Sequence, residues 1–108
     1  MIYLVKNDIG SQISALITRD DTGAAVDLRS STQRLRFRKV GTTDILFTLL
    51  GENLGEAAEL QGIAIFTFSG SHLNQIAGRY EGEIEVTFPD ANIETVYETV
   101  QFIIRDDF

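Results

Sequence analysis

Residues 71–88, SHLNQIAGRYEGEIEVTF, constrain the fold of this chain more than any other stretch. A short turn-forming segment leads into Gly78-Arg79-Tyr80. A strand follows in which Glu81, Glu83 and Glu85 alternate with Tyr80, Gly82, Ile84, Val86 and Phe88. Successive side chains of a strand point to opposite faces, so this pattern buries one face and wets the other. A sheet with one apolar face needs a second layer to cover it. Tyr80 stands where the chain of a β-sandwich crosses between sheets, with its ring expected in the core and its hydroxyl on nearby backbone. Ser71 is expected to cap a single helical turn through Ile76, since its hydroxyl can accept from an amide two or three residues on. Asn74, not Glu or Gln, lies three places later, so no full capping box forms.

The rest of the chain reads as short strand-like runs broken by Gly, Asp, Asn and Ser. Residues 2–5 are the first run and residues 13–18 the second. Asp20-Asp21-Thr22-Gly23 is a turn, residues 25–28 a short strand, and Arg29-Ser30-Ser31 a corner. Residues 32–40 alternate cleanly, with Leu35 and Phe37 on one face and Arg34, Arg36 and Arg38 on the other. The chain turns at 41–44 and returns over residues 45–50. Residues 51–56 read as a mobile loop. Residues 62–68 carry apolar side chains on both faces, Ile63 and Ile65 against Ala64, Phe66 and Phe68, which calls for cover beyond one core, or a partner. Pro89-Asp90-Ala91-Asn92 is a hairpin turn, and residues 93–105 form a long last strand with Val96, Val100, Phe102 and Ile104 in phase. The expected architecture is all-β: one domain, residues 1–108, folded as an immunoglobulin-like antiparallel β-sandwich of about seven to eight strands with one short helical turn. Leu35, Phe37, Phe66, Tyr80, Ile84, Val86, Val100 and Phe102 are its expected core.

In such a sandwich the third and penultimate strands are neighbours in one sheet. That sets the Arg34, Arg36 and Arg38 stripe beside Glu81, Glu83 and Glu85 as a cross-strand ladder of opposite charges. The alternative, a basic grip on nucleic acid, fits poorly. The chain carries a net charge of −7, and affinity for phosphate backbones rests on an excess of Lys and Arg. A nucleic-acid partner is therefore not expected. Neither is a membrane span, because no apolar run approaches the ~20 residues required. The start, MIYLVKND, reads as a strand and not a secretory signal. Without cysteine there is neither a disulfide frame nor a thiolate metal site.

Candidate chemistry is sparse, and the expectation is no enzyme, no cofactor and no metal. His72 is the single histidine, and no G-x-S-x-G elbow accompanies it, so it reads as an exposed or capping residue. Asp20, Asp21, Asp90, Asp106 and Asp107 match no EF-hand spacing and read as turn-forming, solubilising residues. Asn53 opens Asn-Leu-Gly, which is not a glycosylation sequon. Tyr3 and Tyr97 are the aromatics loosely enough placed to serve a sugar platform.

Three segments carry a resemblance: ISALITRDDTGAAVDL, then LRFRKVGTTDILFTL, then LNQIAGRYEGEIEVTFPDANIETV. Their order is similar to that of small immunoglobulin-like structural proteins of tailed bacteriophages, in particular the amino-terminal domain of baseplate upper proteins. The likeness lies in pattern across most of the chain. It implies a non-enzymatic virion component, a tail or baseplate part or a capsid decoration, made in the host cytoplasm. Its partners would be other virion proteins and copies of itself in a symmetric oligomer. The longer relatives continue into a region that docks receptor-binding proteins, whereas this sequence ends at Phe108, so a small virion component is expected instead. The alternative function is a carbohydrate- or host-surface-binding module using the sandwich loops. The expected partner contacts are Ile2, Tyr3, Leu4 and Val5, too apolar for a lone solvated edge strand, and Glu52, Asn53 and Leu54 in a glycine-flanked loop.

Overall fold

A computed structural model describes residues 2–19, 22–95 and 99–106. Among these described residues eight strands and one short helix follow in the order β1 (Ile2–Val5), β2 (Gln12–Leu16), β3 (Thr32–Lys39), β4 (Phe47–Leu50), α1 (Glu56–Leu60), β5 (Ile63–Thr67), β6 (Gly78–Thr87), β7 (Ile93–Thr95) and β8 (Val100–Arg105). They form a larger sheet in the order β1-β8-β6-β3-β4, with β7 also on β6, and a smaller sheet of β2 and β5. This is the expected all-β sandwich: the third strand lies beside the sixth in one sheet, and the second beside the fifth in the other.

One pairing departs from the antiparallel expectation. β1 runs parallel to β8, with Ile2 opposite Phe102 and Val5 opposite Arg105. Nearly the whole chain separates these strands, so no hairpin fixes their relative direction. After β1 the chain crosses to the smaller sheet, where it forms β2.

β3 and β6 hold the larger sheet together. Eight residue pairs run in unbroken register from Thr32–Thr87 to Lys39–Tyr80. Gln33, Leu35 and Phe37 turn inward on β3, and Tyr80, Gly82, Ile84 and Val86 on β6. Gly82 permits a close approach: a Cβ there would lie 2.6 Å from Leu35 Cδ1 and 3.1 Å from Phe102 Cε2. Those side chains from β3 and β8 close over the backbone of β6 in the space a side chain would fill.

Phe37 is the centre of the core. Its ring stacks on Phe47 at 4.6 Å and on Tyr80 at 5.2 Å, and meets Phe68 edge-on at 5.7 Å. Phe102 lies 5.1 Å away at a tilt. The smaller sheet adds Ile13, Ala64 and Phe66, all buried. Of the expected core residues, seven are buried and Val100 is half-buried against the cluster. Val96 lies outside the described residues.

Four local expectations are corrected. The helix is not at residues 71–76, which form a turn and a bend, but at Glu56–Leu60, starting at the last residue of the stretch expected to be a loop. Glu, Ala, Ala, Glu, Leu is a run of good helix formers, and propensity prevails there. Ser71 therefore caps no helix; the turn is held by Ser69, whose hydroxyl accepts the His72 amide at 3.3 Å. The last strand is divided into β7 and β8. Thr95 faces Glu85 while Val100 faces Gly82, so five residues advance along only three of β6 and the register shifts. Residues 25–28 make only a single bridge, Thr18 to Ala25, yet Val26 and Leu28 are buried. They pack without a ladder, held by Val26 N–H on the Ile17 carbonyl at 2.9 Å and Leu28 N–H on the Glu59 carbonyl at 2.9 Å.

Candidate assembly interface

β1 is the first of the expected contact segments. Leu4 is buried, Ile2 packs against the core, and Val5 is half-buried. These three side chains thus serve the domain's own sheet. Tyr3 is 56% exposed, and the Arg105 guanidinium sits 4.3 Å from its ring centroid, a cation–π contact across β1 and β8. β1 ends the larger sheet, so its outer backbone edge has no strand beside it among the described residues.

Glu52, Asn53 and Leu54 are tied in, contrary to a loose loop. Gly51 N–H donates to the Gln33 carbonyl on β3, and Glu52 N–H to the Ile65 carbonyl on β5, each at 2.8 Å. This segment thereby bridges the two sheets. The Glu52 carboxylate accepts from the Thr67 hydroxyl at 2.9 Å, and Asn53 Oδ1 accepts the Gly55 amide at 3.4 Å. Leu54 is half-buried.

The charge ladder lies on the outer face of the larger sheet, as expected. Arg34, Arg36 and Arg38 face Glu85, Glu83 and Glu81 in register. Arg38 bonds Glu81 directly across at 2.7 Å, whereas Arg36 reaches the diagonal Glu85 at 3.3 Å. Arg34 donates to the Thr87 hydroxyl at 3.2 Å. Such partly exposed pairs are each worth ~0.2–1 kcal/mol, so their main effect is to hold register.

Tyr80 forms the expected corner. Its ring is buried and its hydroxyl donates to the Ile76 carbonyl. Burial pushes the hydroxyl's pKa above the ordinary tyrosine value. His72 is half-buried, stacked on Phe47 at 4.6 Å, with Nδ1 accepting the Ser69 amide at 3.0 Å. It fastens a turn onto the core. Asp90 accepts the Asn92 amide at 3.1 Å in a tight turn. Asp106 is exposed, and Asp20, Asp21, Asp107 and Tyr97 lie outside the described residues. Asp27 chelates the Arg29 guanidinium at 2.7 Å; that hydrogen bond, and the Arg29 amide on the same carboxylate, hold its pKa down at about 2. Among the described residues no group of three His, Cys, Asp or Glu side chains is placed to hold a metal ion, and no helix is long and apolar enough to cross a membrane.

One surface was signalled only obliquely in the sequence, by apolar residues on both faces of 62–68. The outer face of the smaller sheet pairs Leu16 with Ile63, Ser14 with Ile65 and Gln12 with Thr67. Leu16 is 67% exposed, and Leu60 at the end of α1 is also exposed. Ile63 and Ile65 are half-buried. No family model matches the chain, and no curated protein matches it.

Proposed function

We propose that this chain is a non-enzymatic structural component of a bacteriophage particle, acting by protein–protein assembly. The free outer edge of β1 carries the reading. It is a four-residue strand of apolar side chains at the end of a sheet, without the proline, bulge or inward charge that usually blunts such an edge. A further strand from a partner would find unpaired backbone groups there, with Tyr3 and Arg105 flanking them. The pattern resemblance to small immunoglobulin-like phage proteins supplies the setting, a tail or baseplate part or a capsid decoration. Glu52 and Asn53 follow β4, at the opposite end of that sheet from β1, and are bonded within the chain, so they lie outside that contact.

Mass spectrometry of purified particles tests the reading. Peptides of this chain are expected at a stoichiometric level, and their absence would overturn it. Tyr3→Glu should reduce incorporation while leaving the isolated domain folded, because Tyr3 is mostly exposed.

A further inference from the structure

β1 pairs with β8 and so leaves β2 bare. The Ser11 carbonyl and the Ile17 N–H both bond toward the β5 side, to Phe68 N–H and the Gly62 carbonyl at 2.8 Å each. Backbone direction alternates along a strand. Ile13 and Ala15 therefore point at β5, and the backbone groups of Gln12, Ser14 and Leu16 point away from it. Among the described residues no strand lies on that side. A two-stranded sheet is the least self-sufficient kind, and this one ends on an unguarded edge.

We propose that two copies of this chain join through β2, antiparallel about a twofold axis at Ser14, to make one continuous four-stranded sheet β5-β2-β2-β5. This deepens the assembly reading above by naming the contact between like copies.

Two observations select a second copy as the occupant. The first is charge. Each chain carries −7, so copies repel unless they meet where charge is absent. Gln12, Ile13, Ser14, Ala15 and Leu16 carry none, and neither do their β5 neighbours Ile63, Ala64, Ile65, Phe66 and Thr67. Glu52 bonds Thr67 from beyond β5, on the rim away from the axis. The second is register. With Ser14 on the axis, inward Ile13 meets the inward Ala15 of the other copy, and outward Leu16 meets outward Gln12. Both faces therefore continue in kind. Ala15, half-buried at the end of the inner layer, gains the cover it lacks. The contact consumes both β2 edges, so it closes as a dimer and does not grow into a filament.

The absence of cysteine makes the test clean. Directly opposed residues in antiparallel strands have Cβ atoms about 4.5–5.5 Å apart. Ser14→Cys should form a disulfide-linked dimer under mild oxidant, while Thr48→Cys, exposed on β4, should not. Sedimentation of the unmodified chain should show a concentration-dependent dimer. Ser14→Lys should weaken it by at least about tenfold through facing like charges, with an unchanged melting temperature at dilutions where both chains are monomeric. A chain monomeric at hundreds of micromolar, Ser14→Cys linking no faster than Thr48→Cys, or a dimer indifferent to Ser14→Lys would each overturn the proposal. So would a monomer that captures only a foreign strand on β2. The assembly reading stands or falls separately: a monomeric chain found in particles keeps it, and a β2 dimer absent from particles does not.

Discussion

The two sheets solve the same problem with different completeness. The β3–β6 ribbon has eight registered pairs, ion pairs on its outer face and an aromatic cluster beneath it. The β2–β5 ribbon has five pairs, no charge on either strand, and an outer face of Leu16, Ile63 and Ile65. Charges that specify register also discourage sliding and wrong partners, because a one-residue slip would turn every Arg and Glu inward. The smaller sheet has no such device. Its pairing is set by its inner face alone, and its outer side is free for a partner. Internal order is thus built into the β3–β6 ribbon, and external availability is left to the strands at the edges, β1 and β2.

The sharpest way to break this comparison is to truncate one residue from each. Phe37→Ala removes the ring at the centre of the aromatic cluster and should cost ~3–5 kcal/mol, against the ~5–15 that holds a typical domain together. Leu16→Ser, on the open face, should stay within ~0.5 kcal/mol. Chemical denaturation of both variants decides; equal losses would mean that the smaller sheet is as integral as the larger.

Tyr80→Phe comes next. It leaves the ring and removes the donor to the Ile76 carbonyl, for an expected loss of ~1 kcal/mol. It should also change the alkaline limb of the stability profile. With the folded pKa raised, the unfolded chain deprotonates first. The hydroxyl's contribution is therefore complete below ~10, the ordinary tyrosine value, and is lost as pH rises through the higher folded value. Tyr80→Phe should flatten that decline; an unaltered slope would place the phenol in water.

A double-mutant cycle on Arg38 and Glu81 should return a coupling of ~0.2–1 kcal/mol that shrinks with added salt. A larger, salt-independent value would make the ladder a source of stability and not only of register.

The smallest effect belongs to Asp27, beside the buried Val26 and Leu28 that pack without a ladder. With its pKa held down at about 2, its contribution is present above the ordinary carboxylate range and lost as pH falls toward that value. Asp27→Asn should remove this acid dependence from the melting curve.

Much of the larger sheet was legible in the sequence because alternation and charge act together there. The phase of β3 and β6, the ladder and the tyrosine corner all follow from residues 32–40 and 71–88. Residues 2–5 coincide with β1, although nothing local told it to lie parallel to β8. Legibility failed where local and tertiary signals separated. Ser71 offered a capping hydroxyl, but Ser69 was better placed and the turn never became a helix. Glu56-Ala57-Ala58-Glu59-Leu60 does form a helix, but five residues between Gly55 and Gly62 are too short a run to show helical periodicity in the sequence. The looseness expected of residues 51–56 follows from their composition, which is blind to the Glu52 amide reaching across to the Ile65 carbonyl. The β2 face escaped notice because openness follows from where β1 goes, a decision made some hundred residues away in sequence at β8.

The β3–β6 pairing also bears on how the chain reaches its fold. The residues of the ladder are 43 to 53 apart in sequence, and Gln12 meets Thr67 across 55. Few of the contacts that secure the sandwich can form early, between near neighbours. Loop closure must come before most of the reward, which sets folding in the millisecond-to-second range of high-contact-order β domains. On the ribosome the core remains unfinished until β8 has emerged. During that interval β2 and β5 already offer neutral, apolar strands, so the same feature that invites a partner in the finished protein is the hazard of its synthesis.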